Sequence, residues 1–430
     1  MKKINVIFVV FFLSYASINA QWIKDSIPTT DWFYDIHYAG SNTLYVSGSY
    51  GRIYKSTNRG QNWSVQQTST QREVGAVYFI NQSTGFAITG DYYSPYGGEI
   101  FKTTNGGLNW VNKFTSGIIC FRHALHFIDA NTGYAGGWSL LSDSAIFKTS
   151  DGGETWHPVI VSGLFGVDKF SFINSYTGWA AGYGYNKEFV VKTTDGGSNW
   201  FMVYTDPVHT DYFYSLQFLN ANTGWVIGLK SAGPSLIIKT TDGGVTWTHQ
   251  YHNHTTNWEL YDIHMINENT GWIVGDVGVI VKTTNGGANW RAQINPSFGL
   301  AMFAVYFSGV DTGLAVGMMG RIIKTVNGGG PVSVSNVSTE VPASFTLYQN
   351  YPNPFNPETR IRYSLPRSSF VNLVVYDALG RVVQTLLNNE NQAAGTYEAV
   401  FDASRIPSGV YYYRLTAEGF SETRKMVVIK

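Results

Sequence analysis

The chain has 430 residues, with 29 basic against 29 acidic side chains, 16% aromatic residues, 46 glycines and one cysteine. That neutral balance gives no electrostatic reason to expect nucleic acid or an anionic membrane as partner, and a lone cysteine excludes an internal disulfide. Low charge content, many glycines and short runs of Val, Ile, Phe and Tyr closed by Gly, Asn or Asp indicate an all-β protein.

Residues 1–20 read as a secretory signal. Lys2 and Lys3 form a basic start, Ile4 to Leu13 is almost wholly apolar, and the stretch ending at Ala20 is small and polar. Its apolar part is too short to span a bilayer, and no later run of about 20 apolar residues follows. Without the two leader lysines the balance becomes −2.

From residue 21 to 330 one phrase recurs. It reads KSTNRGQNW, KTTNGGLNW, KTSDGGETW, KTTDGGSNW, KTTDGGVTW, KTTNGGANW and a truncated KTVNGGG, starting at Lys55, Lys102, Lys148, Lys192, Lys239, Lys282 and Lys324. A period near 45 residues signals a stacked repeat. Within one period, LYDIHMI (260–266), WIVG (272–275) and VIVKTT (279–284) read as three strands, and Trp290 opens a fourth. Four antiparallel strands per period is a propeller blade. A second recurring element, TGW-like, supports seven blades: TGFAITG, TGYAGG, TGWAAG, TGWVIG, TGWIVG and TGLAVG, with NTLYVSG as the first-blade variant.

The phrase is a turn device. Asn58, Asn105, Asp151, Asp195, Asp242, Asn285 and Asn327 are placed to bond nearby backbone amides. The second glycine of each phrase suits a positive φ. Trp63, Trp110, Trp156, Trp200, Trp247 and Trp290 are expected between blades, each indole N–H finding a carbonyl. Seven copies argue for structure, not catalysis. The seventh phrase lacks its Trp, and Trp22, in QWIK, supplies the missing strand and closes the ring.

The phrase resembles the Asp-box, and its combination with TGW resembles the photosystem II stability/assembly factor-like propeller family over residues 21–330. Sialidases and some endoglucanases share the Asp-box propeller.

Residues 331–344, rich in Gly, Ser and Pro, read as a linker. After it, residues 345–430 form short alternating strands suited to a small Ig-like β-sandwich. QNYPNPFNPETRIRYSLP (349–366), VYDALGRVV (375–383), SGVYYYRL (408–415) and the terminal KMVVIK (425–430) resemble a type IX secretion C-terminal sorting domain. The resemblance implies a Gram-negative cell, the type IX machinery as partner of residues 345–430, and a secreted or surface location, released or anchored.

The variable loops opposite the phrase are the candidate binding face. They carry Tyr92, Tyr93, Tyr96, Trp138, Tyr212, His252 and Trp258, aromatic residues suited to sugar rings or peptides, and Arg52 and Arg321 offer an anion-friendly patch with Arg72 and Arg122. Loop carboxylates Asp91, Glu99, Asp143, Asp211 and Glu259 supply no motif that selects a catalytic pair. His252 and His254 lack a third ligand, so no metal and no cofactor is assigned. His37, His126 and His264 occupy equivalent first-strand positions facing the channel, too far apart in blade order to meet. Cys120 lies among apolar neighbours and reads as buried. The function these features favour is a monomeric, non-enzymatic scaffold for a carbohydrate or protein partner. A glycoside hydrolase and an assembly factor for another exported protein are the alternatives.

Overall fold

The computed structural model describes residues 22–430, apart from 92–96, 118, 140–144, 185–186, 206–210, 231–234, 251–257, 294, 298, 327, 330–333, 339 and 404–405. The chain divides into two compact units, one holding residues 21–332 and the other ending the chain.

In the larger unit the described residues form seven four-stranded antiparallel modules. The first strands are Phe33–Tyr38, Glu73–Phe79, Ile119–Phe127, Leu164–Phe172, Asp211–Phe218, Leu260–Met265 and Met302–Phe307. In the first six modules each is followed by its second, third and fourth strands in order, as in Phe33–Tyr38, Leu44–Gly48, Arg52–Ser56 and Ser64–Gln67. Modules three and four join into one eight-stranded sheet through the pair Trp138 and Gly166. Each first strand packs against the first strand of the next module, and the seventh returns to the first.

Closure comes from the start of the described chain. Ile23–Ser26 pairs antiparallel with Arg321–Thr325, so the seventh module takes its outer strand from the opposite end of the unit. Trp22 is fully buried, and its indole donates to Gln293 Oε1 at 2.9 Å, while Gln293 Nε2 donates to Gly328 O at 3.0 Å. Trp290 repeats this relay one module earlier, through Gln250 to Gly286 O.

The phrase lysines stitch the modules together. Lys55, Lys148, Lys192, Lys239 and Lys282 each donate to a phrase-glycine carbonyl of the next module, at 2.9, 2.7, 3.3, 2.9 and 3.0 Å. Lys324 donates to Gly60 O and Asp25, which carries the pattern from module seven to module one. Lys102 departs from it and pairs with Glu154 at 2.6 Å. Beneath these lysines, aromatic side chains of the second strands stack on first-strand residues of the next module. Tyr45 and Phe79, Trp179 and Phe218, and Trp272 and Phe307 have centroids 3.7, 3.7 and 3.4 Å apart.

That stacking explains the glycine of the TGW element. A Cβ on Gly85, Gly133, Gly178, Gly224 or Gly313 lies within 2.6 Å of the phenylalanine ring opposite it. Module one has Leu44 at that position, and its partner Tyr38 turns to stack on Tyr306 instead.

Asp151 shows how the phrase turn is held. Its Oδ1 accepts the Glu154 and Thr155 amides at 3.0 Å, and the Thr155 hydroxyl reaches Oδ2 at 2.6 Å. The Thr155 bonds hold its carboxyl well below the ordinary carboxylate range. The second phrase glycine has positive φ in all seven copies, and Arg59 adopts φ 58° where other phrases have their first glycine. Asn327 lies outside the described residues. The expectation for the phrase tryptophans is corrected in one respect. The indole N–H groups of Trp63, Trp110, Trp156 and Trp200 are buried without an acceptor, Trp290 donates to the Gln250 side chain, and Trp247 reaches a backbone carbonyl, that of Gly244 at 3.1 Å. Packing decides their place: Trp156 sits edge-on to Phe86 and Phe127, and Trp247 to Phe218.

The C-terminal unit has two four-stranded sheets over one core that includes Ile361, Tyr363, Leu373, Val375, Tyr413 and Met426. One sheet runs in the order Val334–Ser338, Gly395–Asp402, Glu358–Leu365 and Thr346–Leu347; the other in the order Val382–Gln392, Ser369–Asp377, Gly409–Ala417 and Phe420–Val428. The segment read as linker, 331–344, thus contributes the strand Val334–Ser338, because Gly395–Asp402 offers it a free edge. The NPF stretch holds the terminal strand. Phe355 is buried, its amide donates to Val427 O at 3.0 Å, and the Ile429 amide returns to Phe355 O at 3.0 Å.

Candidate functional site

A cavity of about 700 Å³ opens at the axis of the larger unit, lined by residues of all seven modules. Every first strand carries a register shift near its entry end. A bulge leaves a residue unpaired and re-aims its side chain. The unpaired residues include Tyr34, Gly75, His123, Asp168, Tyr214, Tyr261 and Phe303, one per module, and these seven line the cavity; module four also skips Phe165. In module three two residues are skipped, one of them His123.

The wall is asymmetric. Aromatic rings follow one another from module five to module one: Tyr212 to Tyr214 at 6.5 Å between centroids, Tyr214 to Tyr261 at 5.5 Å, Tyr261 to Phe303 at 5.1 Å and Phe303 to Tyr34 at 5.8 Å. In module four, next to the start of that arc, the bulge residue is Asp168, and Glu188 from the same module joins it in the lining. Glu73, Glu259 and Asp276 complete the acidic rim. Glu259 accepts the Tyr261 hydroxyl at 2.8 Å and the Tyr214 hydroxyl at 3.3 Å. Burial first, and Glu259 second, raise the pKa of both phenols, so both stay protonated donors.

The floor is charged. Lys169 Nζ lies 3.2 Å from Asp262 Oδ1, which also accepts the Ser215 hydroxyl at 3.0 Å, while Asp262 Oδ2 takes the Val305 amide at 3.0 Å. Asp35 accepts the Val77 amide at 3.1 Å. Burial pushes Asp35 up to about 6, against the pull of Lys169. Burial alone lowers the Lys169 ammonium, but Asp262 and Asp35 outweigh it and raise its pKa.

Beneath the floor lies a belt of His37, Tyr78, His126, Ser171, Gln217, His264 and Tyr306, one per module at equivalent register. Several of them bond the next first strand: His37 Nε2 with Phe79 O at 3.0 Å, Tyr78 with Phe127 O at 2.9 Å, and Gln217 Nε2 with Met265 O at 3.0 Å. His37 and His126 do not meet directly but share Tyr78, at 4.5 and 5.4 Å between centroids. Burial lowers His37, His126 and His264 to about 4, leaving them neutral near pH 7.

Of the candidates named from sequence, Trp138 and Tyr212 line the cavity. Trp258 packs beside the core of modules five and six and is not among the lining residues. Arg52 is committed to Asp31, at 2.8 and 3.0 Å, and Asp31 also accepts the Tyr54 hydroxyl at 2.6 Å. Arg72 donates to Gly97 O at 2.6 Å and lies 3.8 Å from Glu99. Neither Arg52 nor Arg321 lines the cavity, whose described wall is acidic and not anion-friendly. Tyr92, Tyr93, Tyr96, Asp143, His252 and His254 lie outside the described residues, as do the side chains of Asp91, Arg122 and Asp211. Cys120 is buried. Among the described residues no group of three or more His, Cys, Asp or Glu is placed to hold a metal, and no helix is long and apolar enough to cross a membrane.

The bulge residues were missed in reading the sequence, although a signal was there. Aligning the seven first strands on their last residue puts Tyr34, Gly75, His123, Asp168, Tyr214, Tyr261 and Phe303 in one column.

Residues 207–298 match the family model described as photosynthesis system II assembly factor YCF48, and residues 349–430 match that of the secretion system C-terminal sorting domain. Similar solved structures include YCF48 bound to D1 peptide, at 15% identity with TM-score 0.55, covering 71% of this chain and 97% of the other. YCF48 from Cyanidioschyzon merolae matches at 16% identity and TM-score 0.56, covering 71% and 98%. The GH74 xyloglucanase from Xanthomonas campestris matches at 10% identity and TM-score 0.57, covering 80% and 59%. These identities speak for the fold alone. No curated protein matches the chain. The chain is thus an all-β protein with a β-propeller fold, in which residues 207–298 are similar to the photosystem II assembly factor family and residues 349–430 to the secretion system sorting domain.

Proposed function

We propose that the chain is an exported, non-enzymatic binding scaffold. In this reading residues 1–20 are a cleaved leader, residues 21–330 a seven-bladed ring closed through Trp22, and the tail an Ig-like sandwich that addresses the protein to the type IX machinery. The mature protein then acts outside a Gram-negative cell, secreted or on its surface, on a protein or carbohydrate partner. The observation that carries the reading is the set of seven bulges, each aiming one residue into the axial cavity. Aromatic faces set against carboxylates bind with little loss of side-chain entropy. The D1 peptide in one similar propeller supports a peptide as partner class.

A glycoside hydrolase is the second reading, favoured by the carboxylates around the cavity. It is the weaker one, because no motif selects a catalytic pair among those carboxylates. The test combines a glycan array, a peptide array and polysaccharide hydrolysis assays on the mature protein and on a Y34A/F303A variant. Binding lost in the variant supports the cavity as the site. Turnover of any polysaccharide, or binding indifferent to the substitutions, overturns the proposal.

A further inference from the structure

Among the described residues, three hairpins on adjacent modules share one irregularity. They join the second and third strands of modules six, seven and one, and read DVGV (276–279), MMGR (318–321) and SYGR (49–52). They stand at the entry ends of the first strands, where Gly275 pairs with Leu260, Gly317 with Met302 and Gly48 with Phe33. In each, the last amide donates to the first carbonyl: Val279 to Asp276 at 3.0 Å, Arg321 to Met318 at 3.2 Å and Arg52 to Ser49 at 3.2 Å. Both central residues have positive φ: 47° and 77° at Val277 and Gly278, 58° and 67° at Met319 and Gly320, 59° and 69° at Tyr50 and Gly51. That is the φ signature of a type I′ turn, whose first central position favours Asn, Asp or Gly because a Cβ there crowds the backbone.

Here valine, methionine and tyrosine hold that position, and packing offsets little of the strain. Tyr50 meets the Arg52 guanidinium at 5.5 Å, yet it and Met319 remain 55% and 53% exposed. Nor do these side chains fix the tips, because the backbone does. Gly51 donates to Arg72 O, Gly320 to Asp31 O and Gly299 to Val277 O, all at 2.7 Å. Strain that the fold does not need is a pointer to function.

The tips also form one crescent. Residues 299–301 run from Val277 to Met318, whose amide donates to Ala301 O at 3.0 Å. Residues 31–32 run from Gly320 to Ser49, whose amide donates to Trp32 O at 3.1 Å. Leu300 thus falls between tips six and seven, and Trp32, 40% exposed, between seven and one. Trp32 and Met318 line the cavity, and the Trp32 ring lies 6.0 Å from that of Phe303. The crescent therefore continues the aromatic arc out of the cavity.

Resting on the reading of the cavity as the binding site, we propose that this crescent is a docking surface for a protein partner, whose apolar side chains lie across Tyr50, Trp32, Met319 and Val277 and reach the cavity beside Phe303. Two features select a polypeptide over a sugar. Methionine and valine offer no flat face for a pyranose ring, whereas thioether and aromatic side chains are enriched where proteins meet. The tips are held by backbone bonds, so a partner meets a surface already ordered, which lowers the entropy cost of docking.

The experiment pans a random dodecapeptide library against the mature protein and measures the selected peptides by calorimetry on wild type, Y50N/M319N and Y34A/F303A, with a glycan array in parallel. Asparagine suits the left-handed position, so Y50N/M319N removes two apolar tips together with their strain and is expected to melt at or above the wild-type temperature. The selected peptides are expected to carry apolar side chains and to bind Y50N/M319N about tenfold or more weakly. Peptides that lose affinity in Y34A/F303A but not in Y50N/M319N overturn this proposal and leave the cavity reading standing. Y50N/M319N melting several degrees lower assigns the tips to the fold and overturns it as well. So does a wild-type dimer in analytical ultracentrifugation that Y50N/M319N abolishes, since a second copy is then the occupant. Glycan binding with no peptide selected overturns it too, while the scaffold reading stands. A wild-type protein that binds neither peptide nor glycan overturns both.

Discussion

Replacing Trp22 with alanine tests whether the ring depends on a residue drawn from the far end of the unit. The indole is fully buried against Phe307, edge to face at 5.6 Å, and donates to Gln293 Oε1. Truncating a buried Trp costs about 3–5 kcal/mol, and the loss of a donor to the buried Gln293 lies within that range. Unfolding entropy runs near 2.1 cal/mol/K per residue. Over the roughly 310 residues of this unit that is about 0.65 kcal/mol/K, so a cost of about 4 kcal/mol lowers the melting temperature by about 6 °C. Trp290→Ala is the internal standard, since Trp290 makes the same relay through Gln250 within the continuous chain. Scanning calorimetry on both variants should give shifts of similar size. A W22A protein melting within 1 °C of wild type, beside a W290A protein that melts several degrees lower, would falsify the closure argument.

Other outcomes follow from the same geometry. His37, His126 and His264 are lowered to about 4 in the fold from an ordinary 6.5, so the unfolded chain binds more protons between those values. Stability should therefore fall as pH drops from 6.5 towards 4, and H126F should flatten part of that slope in melts taken across the range. Gly224→Ala places a methyl 2.6 Å from the Phe218 ring, which is already stacked on Trp179 at 3.7 Å. A cost of about 1–3 kcal/mol is expected, while G309A, with open space around it, should melt like wild type. Lys324→Met removes the bonds to Gly60 and Asp25; equilibrium denaturation should show it less stable than wild type, and an unchanged midpoint speaks against the lysine stitch.

Much of the scaffold was legible because it repeats. A turn that must place two residues at positive φ and bond its own amides has few solutions, so the phrase reappears nearly unchanged from Lys55 to Lys324. The absent Trp of the last phrase could be matched to Trp22 by simple counting. The lysines were harder to interpret. Their partner is a carbonyl of the next module, 51 residues on for Lys55 and 47 for Lys239, and a carbonyl leaves no mark on the sequence. Likewise the strand Val334–Ser338 looked like a linker, because its few polar residues become a strand only beside Gly395–Asp402.

The candidate site divides along the same line. Trp138 and Tyr212 could be picked out as loop aromatics, and Glu259 as a loop carboxylate. Arg52 looked equally eligible until its position beside Asp31 was known. The bulge residues belong to strands and read as one more step in an alternating pattern. Sequence by itself determined the all-β class, the repeat, the turn chemistry and the sorting tail, since each depends on local backbone preference or on a motif contiguous in the chain. Only the tertiary structure decided where charge and aromatic surface gather. Seven residues spaced some 45 positions apart become one wall when the ring brings their strands to a common axis and a bulge in each strand turns that residue, a side chain in all but Gly75, inward.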